Sequence, residues 1–330
     1  MNKIICIDPP SNSYKNNKLF DVNDNHLNRD GSLIPFFELK NSLNKKGHKV
    51  LTSDLINFAD VNSNYHYYSF GNTNNFKRFK LLGAKLMAIV IMEPPIVDPK
   101  PYELMSKLSD YFENIYSYDT SPKYKNLQRF YFTQYRKSVI HKYWSNNIRI
   151  NKLVLINSSH KPLLKKDELY SKRIDIISQL SKTNSIDLYG RGWSKWYSRS
   201  NLWKPYWSNI SSILNAYKGS CISKYEVLKD YNFAICFENM EMPGFISEKI
   251  FDCFYSGTIP IYLGDPNISD TIPSDTFIDY RDFSNINDLL KYLNDMPKKV
   301  VKQYKDKGRD FIESTKSENF RNSLMDIFNV

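Results

Sequence analysis

Residues 232–264 read NFAICFEN, MEMPGF, ISEKIFDCFYSG and TIPIYLG. An apolar strand is followed by a short turn, an amphipathic helix closed by Gly257, and a second apolar strand. Two successive strands joined through a helix lie parallel, and such crossovers are right-handed. This stretch therefore demands a parallel sheet with helices packed on its faces, and the rest of the chain must supply the other strands.

It does so twice. KIICID (3–8) reads as a buried strand, LIPFFELKNSLNKKG (33–47) as a helix closed by Gly47, and HKVLTS as the next strand. Residues 57–80, rich in Asn, Tyr and Phe, read as a long loop or short helices. LMAIVIM (86–92) is a strand ending in EPP, a helix pattern follows from Tyr102 to Phe112, and NIYSY is a strand. The segment 120–150 is basic and aromatic without a clean period, and the domain junction is placed there. The second series runs through KLVLIN (152–157), a helix over 168–182, IDLYG (186–190), the β-α-β unit above and TFIDY, with a helical tail from Ile286. The expectation is an α/β protein of two doubly wound domains, 1–150 and 151–330.

A chain of 330 residues with 41% hydrophobic and 15% aromatic residues buries enough apolar surface to fold, which excludes global disorder. Lys and Arg exceed Asp and Glu by 46 minus 35, or +11. That excess favours anionic partners such as nucleotide phosphates, nucleic acid or an anionic membrane. Cys6, Cys221, Cys236 and Cys253 form no C-x-x-C pair and read as free thiols of a reducing compartment. The N-terminal apolar run is too short for a signal peptide, and no apolar run of about 18 residues occurs. The expected location is the cytoplasm, with peripheral contact at the membrane face as an alternative.

In open α/β sheets, ligands bind beyond the carboxyl ends of the strands, which makes Glu238 and Asn239 candidates by position. Gly244 permits a tight turn or a close approach to backbone. Ser247 is placed to cap the helix, leaving Glu248 and Lys249 beside its unpaired N–H groups. Helix punctuation and an anion site both fit this spacing. Glu93 ends an apolar strand before two prolines that stop the ladder, so it points toward the same kind of strand-end crevice. Partial burial would tune it toward a general base, and the alternative is a strand-end carboxylate paired with a lysine.

NFAICFEN…GFISEKIFDCFYSGTIPIYLGDP…IPSDTFIDYRDF, residues 232–283, resembles the signature of the α-1,3-fucosyltransferase family, glycosyltransferase family 10. That family repeats a Phe-Glu-Asn strand end, a Tyr-(Val/Ile)-Thr-Glu-Lys helix start and a (Thr/Val)-(Ile/Val)-Pro-(Ile/Val) strand. The resemblance implies a GT-B architecture. Two Rossmann-like domains would face a cleft, the N-terminal one binding acceptor and the C-terminal one the nucleotide-sugar donor. It implies donor binding by Asn239, Glu248 and Lys249, with Phe245 where the family often has tyrosine. Arg173, before a YGRG strand end, matches the family's diphosphate arginine. Glu93 in IMEPP matches the glutamate proposed as catalytic base, although Pro95 replaces a small polar residue.

The implied reaction is an inverting transfer of fucose from GDP-fucose to a hydroxyl of a glycan acceptor of lipopolysaccharide or oligosaccharide type. The chain has no Asp-x-Asp and no zinc-spaced histidine pair, so no metal or other cofactor is expected. Leaving-group charge would fall to Arg173, Lys249 and helix-terminal N–H groups. Two alternatives stand: a transferase of the same fold using another nucleotide sugar, and a noncatalytic anion or nucleic-acid binder. The second is motivated by RGWSKWYSRSNLWKPYW (191–207), which holds Trp193, Trp196, Trp203 and Trp207 among basic residues. Acceptor or anionic-membrane contact is preferred for this stretch, because no nucleic-acid motif accompanies it.

Overall fold

A computed structural model of the protein describes residues 2–58, 64–144, 148–194 and 203–329. The chain forms two compact units, one of residues 1–135 with 319–330 and the other of residues 136–318. The sequence placed the junction at 150/151, where strand periodicity resumes. Residues 136–144, 148 and 149 instead belong to the second unit. Arg149 donates to the carbonyls of Tyr231 (2.8 Å), Ser256 (3.1 Å) and Tyr143 (3.2 Å), and Ile140 N–H donates to the Tyr255 carbonyl at 2.9 Å. The end of the tail returns to the first unit. Gln134 N–H donates to the Phe320 carbonyl at 3.0 Å, and the Tyr68 and Phe328 rings stack 4.0 Å apart.

The first unit is a parallel sheet of β1 (Lys3–Asp8), β2 (Lys49–Thr52), β3 (Asn64–Phe70), β4 (Lys85–Val90), β5 (Asn114–Ser117) and β6 (Leu127–Arg129), in the order β2-β1-β3-β4-β5-β6. Strand β3 and the helix Phe76–Leu81 lie where a loop or short helices were expected. β3 reads NYHYYSF, and every residue after Asn64 is buried. Two of its three tyrosine hydroxyls have named partners: Tyr65 donates to the Asn57 carbonyl at 2.9 Å, and Tyr67 donates to Asp8. A tyrosine strand between two neighbours has no polar-out alternation to read, which is why period-2 reasoning passes over it.

The second unit is a parallel sheet of β7 (Ile150–Ile156), β8 (Ile186–Tyr189), β9 (Tyr217–Gly219), β10 (Tyr231–Phe237), β11 (Ile259–Leu263) and β12 (Ile278–Asp279). Its order is β12-β11-β10-β7-β8-β9. From β7 the chain winds outward through β8 and β9, then returns to pair β10 on the other side of β7. This is the doubly wound order with its switch point between β7 and β10, where such sheets hold nucleotides. The core includes Leu153, Leu155, Ile177, Phe237, Ile259 and Ile261. The α/β expectation holds for both sheets.

No described helix is long and apolar enough to cross a membrane. All four cysteines are free; Cys6, Cys236 and Cys253 are buried and Cys221 is partly so.

Candidate anion site at the switch point of the second unit

The helix Glu248–Ser256 begins where the sequence expected it. Ser247, in extended conformation, accepts from the Lys249 N–H at the cap, and Gly257 ends the helix at φ +68°. The side chain of Ser247 does more than cap. Glu238, fully buried just past β10, accepts from Ser247 N–H at 2.7 Å and from Ser247 Oγ at 2.7 and 2.9 Å. Glu238 Oε2 also accepts from Lys249 Nζ at 3.1 Å, and Ser247 Oγ accepts from the same ammonium at 2.8 Å. A lysine has three N–H donors, so one remains for a ligand. Burial alone would lower the Lys249 pKa, but the Glu238 and Glu248 carboxylates outweigh it and raise the value.

Gly264 explains how Glu238 fits. A Cβ there would sit 2.6 Å from Glu238 Cγ and 2.6 Å from the Tyr262 hydroxyl. Any side chain would push the carboxylate aside.

Arg173 stands on the helix Tyr170–Ser181 that follows β7, and its side chain is 2% exposed. Its Nη2 donates to the carbonyls of Phe237 (2.7 Å) and Glu238 and to Asn239 Oδ1 (3.1 Å). Its Nε is buried without a hydrogen-bond partner among the described residues. The guanidinium lies 5.0 Å from the centre of the Tyr170 ring, and burial lowers its pKa. A buried cation with donors left over is costly unless something anionic completes it. Asn239 is held twice, since its carbonyl accepts from Leu169 N–H at 3.0 Å.

Glu248 faces Lys224 Nζ at 3.6 Å, and Lys224 also pairs with Asp252. Burial would raise the Glu248 pKa, but Lys249 and Lys224 hold it at about 2. Glu248 is thus an ionised, partly exposed carboxylate at the rim. Lys224, 24 residues upstream of the helix start and on another element, carried no signal of this role in the sequence.

Other expected residues fall differently. The Phe245 ring is 2% exposed and lies in the interior, with its carbonyl accepting from Tyr262 Oη at 3.4 Å. Trp193 is 3% exposed and donates to the Asn157 carbonyl at 2.6 Å, so it belongs to the core and offers no contact surface. Trp203 packs against that core, Trp207 is 45% exposed, and Trp196 lies outside the described residues. In the first unit Glu93 follows β4 in a bend, exposed, and its carbonyl accepts from Tyr102 Oη at 3.0 Å. The partial burial expected of it is absent in this structure. Among the described residues, no group of three or more His, Cys, Asp or Glu side chains could hold a metal ion.

Fold and site together define a doubly wound α/β protein whose second sheet gathers Arg173, Lys249 and Glu238 at its switch point, a candidate anion site. Residues 163–307 match the family described as glycosyltransferase family 10 (fucosyltransferase) C-terminal. The second unit thus carries a glycosyltransferase family 10 domain. Over 138 residues the chain is 33% identical to α-(1,3)-fucosyltransferase B of Drosophila melanogaster, covering 41% of this chain and 29% of that protein. Over 82 residues it is 35% identical to α-(1,3)-fucosyltransferase FucT of Helicobacter pylori, covering 25% of this chain and 17% of that one. The matched stretches therefore span less than a third of these curated relatives.

The fold extends further than the sequence likeness. A crystal structure of an α1,3-fucosyltransferase with GDP-fucose superposes with a TM-score of 0.54 at 14% identity, covering 99% of this chain and 90% of that one. The Anabaena protein HepE, solved with UDP and glucose, superposes with the same TM-score at 10% identity, covering 99% and 97%.

Proposed function

We propose that the protein is an α-1,3-fucosyltransferase-like enzyme that transfers fucose from GDP-fucose to a hydroxyl of a glycan acceptor with inversion at the anomeric carbon. One observation carries this reading: Arg173 and Lys249, both held on carbonyls or carboxylate at the β7/β10 switch point, keep N–H donors unused. The domain match and the α-1,3-fucosyltransferase relatives support the choice of sugar.

In the proposed reaction the acceptor oxygen forms the new bond to the anomeric carbon as the bond from that carbon to the diphosphate oxygen breaks. The departing GDP takes the electron pair. Its growing negative charge is met by Lys249, Arg173 and the N–H groups at the start of the helix Glu248–Ser256, donors that are already oriented and need little reorganisation. Glu238 and Ser247 position Lys249. Glu248, ionised and at the rim, accepts from sugar hydroxyls or faces the positive charge that develops on the ring. Glu93, exposed on the first unit, takes the acceptor proton.

The test is calorimetric titration of GDP-fucose, GDP, UDP and CDP, followed by turnover with neutral oligosaccharide acceptors. GDP-fucose should bind and be consumed, and Glu93→Gln should abolish transfer while binding persists. Undiminished turnover in Glu93→Gln would remove Glu93 from the role of base. A second reading, the same chemistry with another nucleotide sugar, is favoured by HepE, which shares the fold to the same degree and was solved with UDP. Tighter binding of UDP than of GDP would select it.

A further inference from the structure

Strand β12 is an edge of the second sheet, and the helices Ile286–Asn294 and Lys298–Glu313 follow it. A cavity of about 500 Å³ opens there, lined by Phe283, Tyr292, Tyr304, Asp279, Asp282 and Ser274 among others. None of these residues belongs to the candidate anion site described above. The volume lies inside the ~300–1,000 Å³ range of small-molecule sites.

The lining is specific in its chemistry. Phe283 and Tyr292 form an aromatic wall, with ring centres 5.3 Å apart and planes tilted by 53°. Tyr292 is 39% exposed, a large ring left facing solvent, and its hydroxyl lies 3.2 Å from that of Tyr304. The charges nearby are largely cancelled. Asp279 is chelated by Arg281, with Nε at 2.9 and 3.1 Å and Nη2 at 2.6 Å, and Asp275 pairs with Lys307 at 3.2 Å. Asp282 makes no ion pair or hydrogen bond with any described residue and remains a free acceptor at the mouth.

An anion would meet no uncommitted cation in this lining. A metal ion would find a single free carboxylate where several oxygen ligands are required. What fits is a neutral molecule with one apolar face and a rim of hydroxyls. Its C–H face would lie on the Phe283 and Tyr292 rings, and its hydroxyls would donate to Asp282 and exchange hydrogen bonds with Tyr304 and Ser274.

We propose that this cavity is a second, noncatalytic saccharide-binding site that holds a neutral sugar unit of an oligosaccharide apart from the reacting centre. The choice of ligand class rests in part on the transferase reading, since an enzyme acting on extended glycans gains retention from an additional subsite. The binding itself does not require that reading.

Saturation-transfer NMR and calorimetry with N-acetyllactosamine, maltotriose and chitotriose, without nucleotide, test it. At least one of these saccharides should bind with a dissociation constant of about a millimolar, and Tyr292→Ala and Phe283→Ala should each weaken it about tenfold. GDP or UDP binding should be unchanged in both variants. Asp282→Asn, at an exposed position, checks the same site should an aromatic variant unfold, and it too should weaken binding. Absence of binding by all three saccharides, or affinity indifferent to these substitutions, would overturn the assignment. Loss of nucleotide binding in the parent protein would instead strike the proposed function and leave the cavity measurement standing.

Discussion

Each sheet places a buried carboxylate beside its switch point, and the two are finished in opposite ways. In the first unit Asp8 ends β1, beside the switch point between β1 and β3, and is fully buried. It accepts from Ser53 Oγ at 2.7 Å, Tyr67 Oη and Asn75 Nδ2 at 3.1 Å, all neutral donors from neighbouring segments. In the second unit Glu238 follows β10 at the β7/β10 switch point, equally buried, but one of its donors is the Lys249 ammonium and Arg173 lies against its carbonyl. Neutral donors close a carboxylate into a structural knot. The cationic donors Lys249 and Arg173 keep N–H groups unused beside the carboxylate and carbonyls that hold them.

The largest effect should come from Lys249→Ala. Truncating one partner of a buried, hydrogen-bonded charge pair costs roughly 3–5 kcal/mol, because Glu238 is left without its counter-charge. Thermal denaturation should show this loss. Calorimetry should show nucleotide affinity down roughly 100-fold, equivalent to about 2.7 kcal/mol. The paired variant Lys249→Met with Glu238→Gln should recover much of the stability and none of the affinity. Nucleotide binding at parental strength in Lys249→Ala would break the contrast between the two switch points.

Asp8→Asn and Gly264→Ala sharpen the contrast from either side. Asp8→Asn removes charge from the knot and mismatches its donors, a loss of ~1–3 kcal/mol in stability by denaturant melts. Nucleotide affinity should not change. Gly264→Ala introduces a methyl group into the space of Glu238 Cγ and Tyr262 Oη, an overpacking cost of ~1–3 kcal/mol. Because the displaced group holds Lys249, affinity for nucleotide should fall with stability. Weakened nucleotide binding in Asp8→Asn, or unaltered binding in Gly264→Ala, would count against the division of roles.

The same contrast governs what the sequence could tell. β10, the Ser247 cap, the helix start and β11 were legible because strand, cap and apolar period fall in one continuous stretch with Gly257 as a stop. The position of Glu238 at a strand end was legible as well. Its bond to Lys249, 11 residues on, was not, since nothing in the spacing shows that the turn through Gly244 folds one over the other. Strand β3 is hidden by its tyrosines, which look amphipathic in sequence and are buried, the Tyr65 and Tyr67 hydroxyls finding acceptors in other segments. The division at 135/136 lies inside the basic, aromatic segment 120–150, and its exact place is hidden because Arg149 acts through backbone carbonyls of distant residues, a contact that leaves no periodic trace. Composition groups Trp193 with surface aromatics, whereas its indole N–H donates to the Asn157 carbonyl 36 residues upstream.

The smallest expected effect on nucleotide binding separates two lysines of the second unit. Lys249 faces carboxylates and its pKa is raised, so its contribution to stability is complete below its ordinary value near 10.5 and fades only as pH climbs past the raised value. Lys305 is its opposite. Its ammonium donates to Asn232 Oδ1 at 2.9 Å, and burial, with Arg149 nearby, lowers its pKa to about 7. Between pH 7 and 10.5 the unfolded chain binds a proton at Lys305 that the folded chain does not, so this residue makes stability rise with pH across that window. Below pH 7 both states are protonated and the residue adds no slope. Lys305→Met should therefore flatten the pH dependence of the unfolding free energy between 7 and 10.5, stabilise the protein at pH 6, and leave nucleotide affinity untouched. A variant whose stability still rises as steeply as the parent's over that range would show that burial of an ammonium without a carboxylate is not the source of the slope.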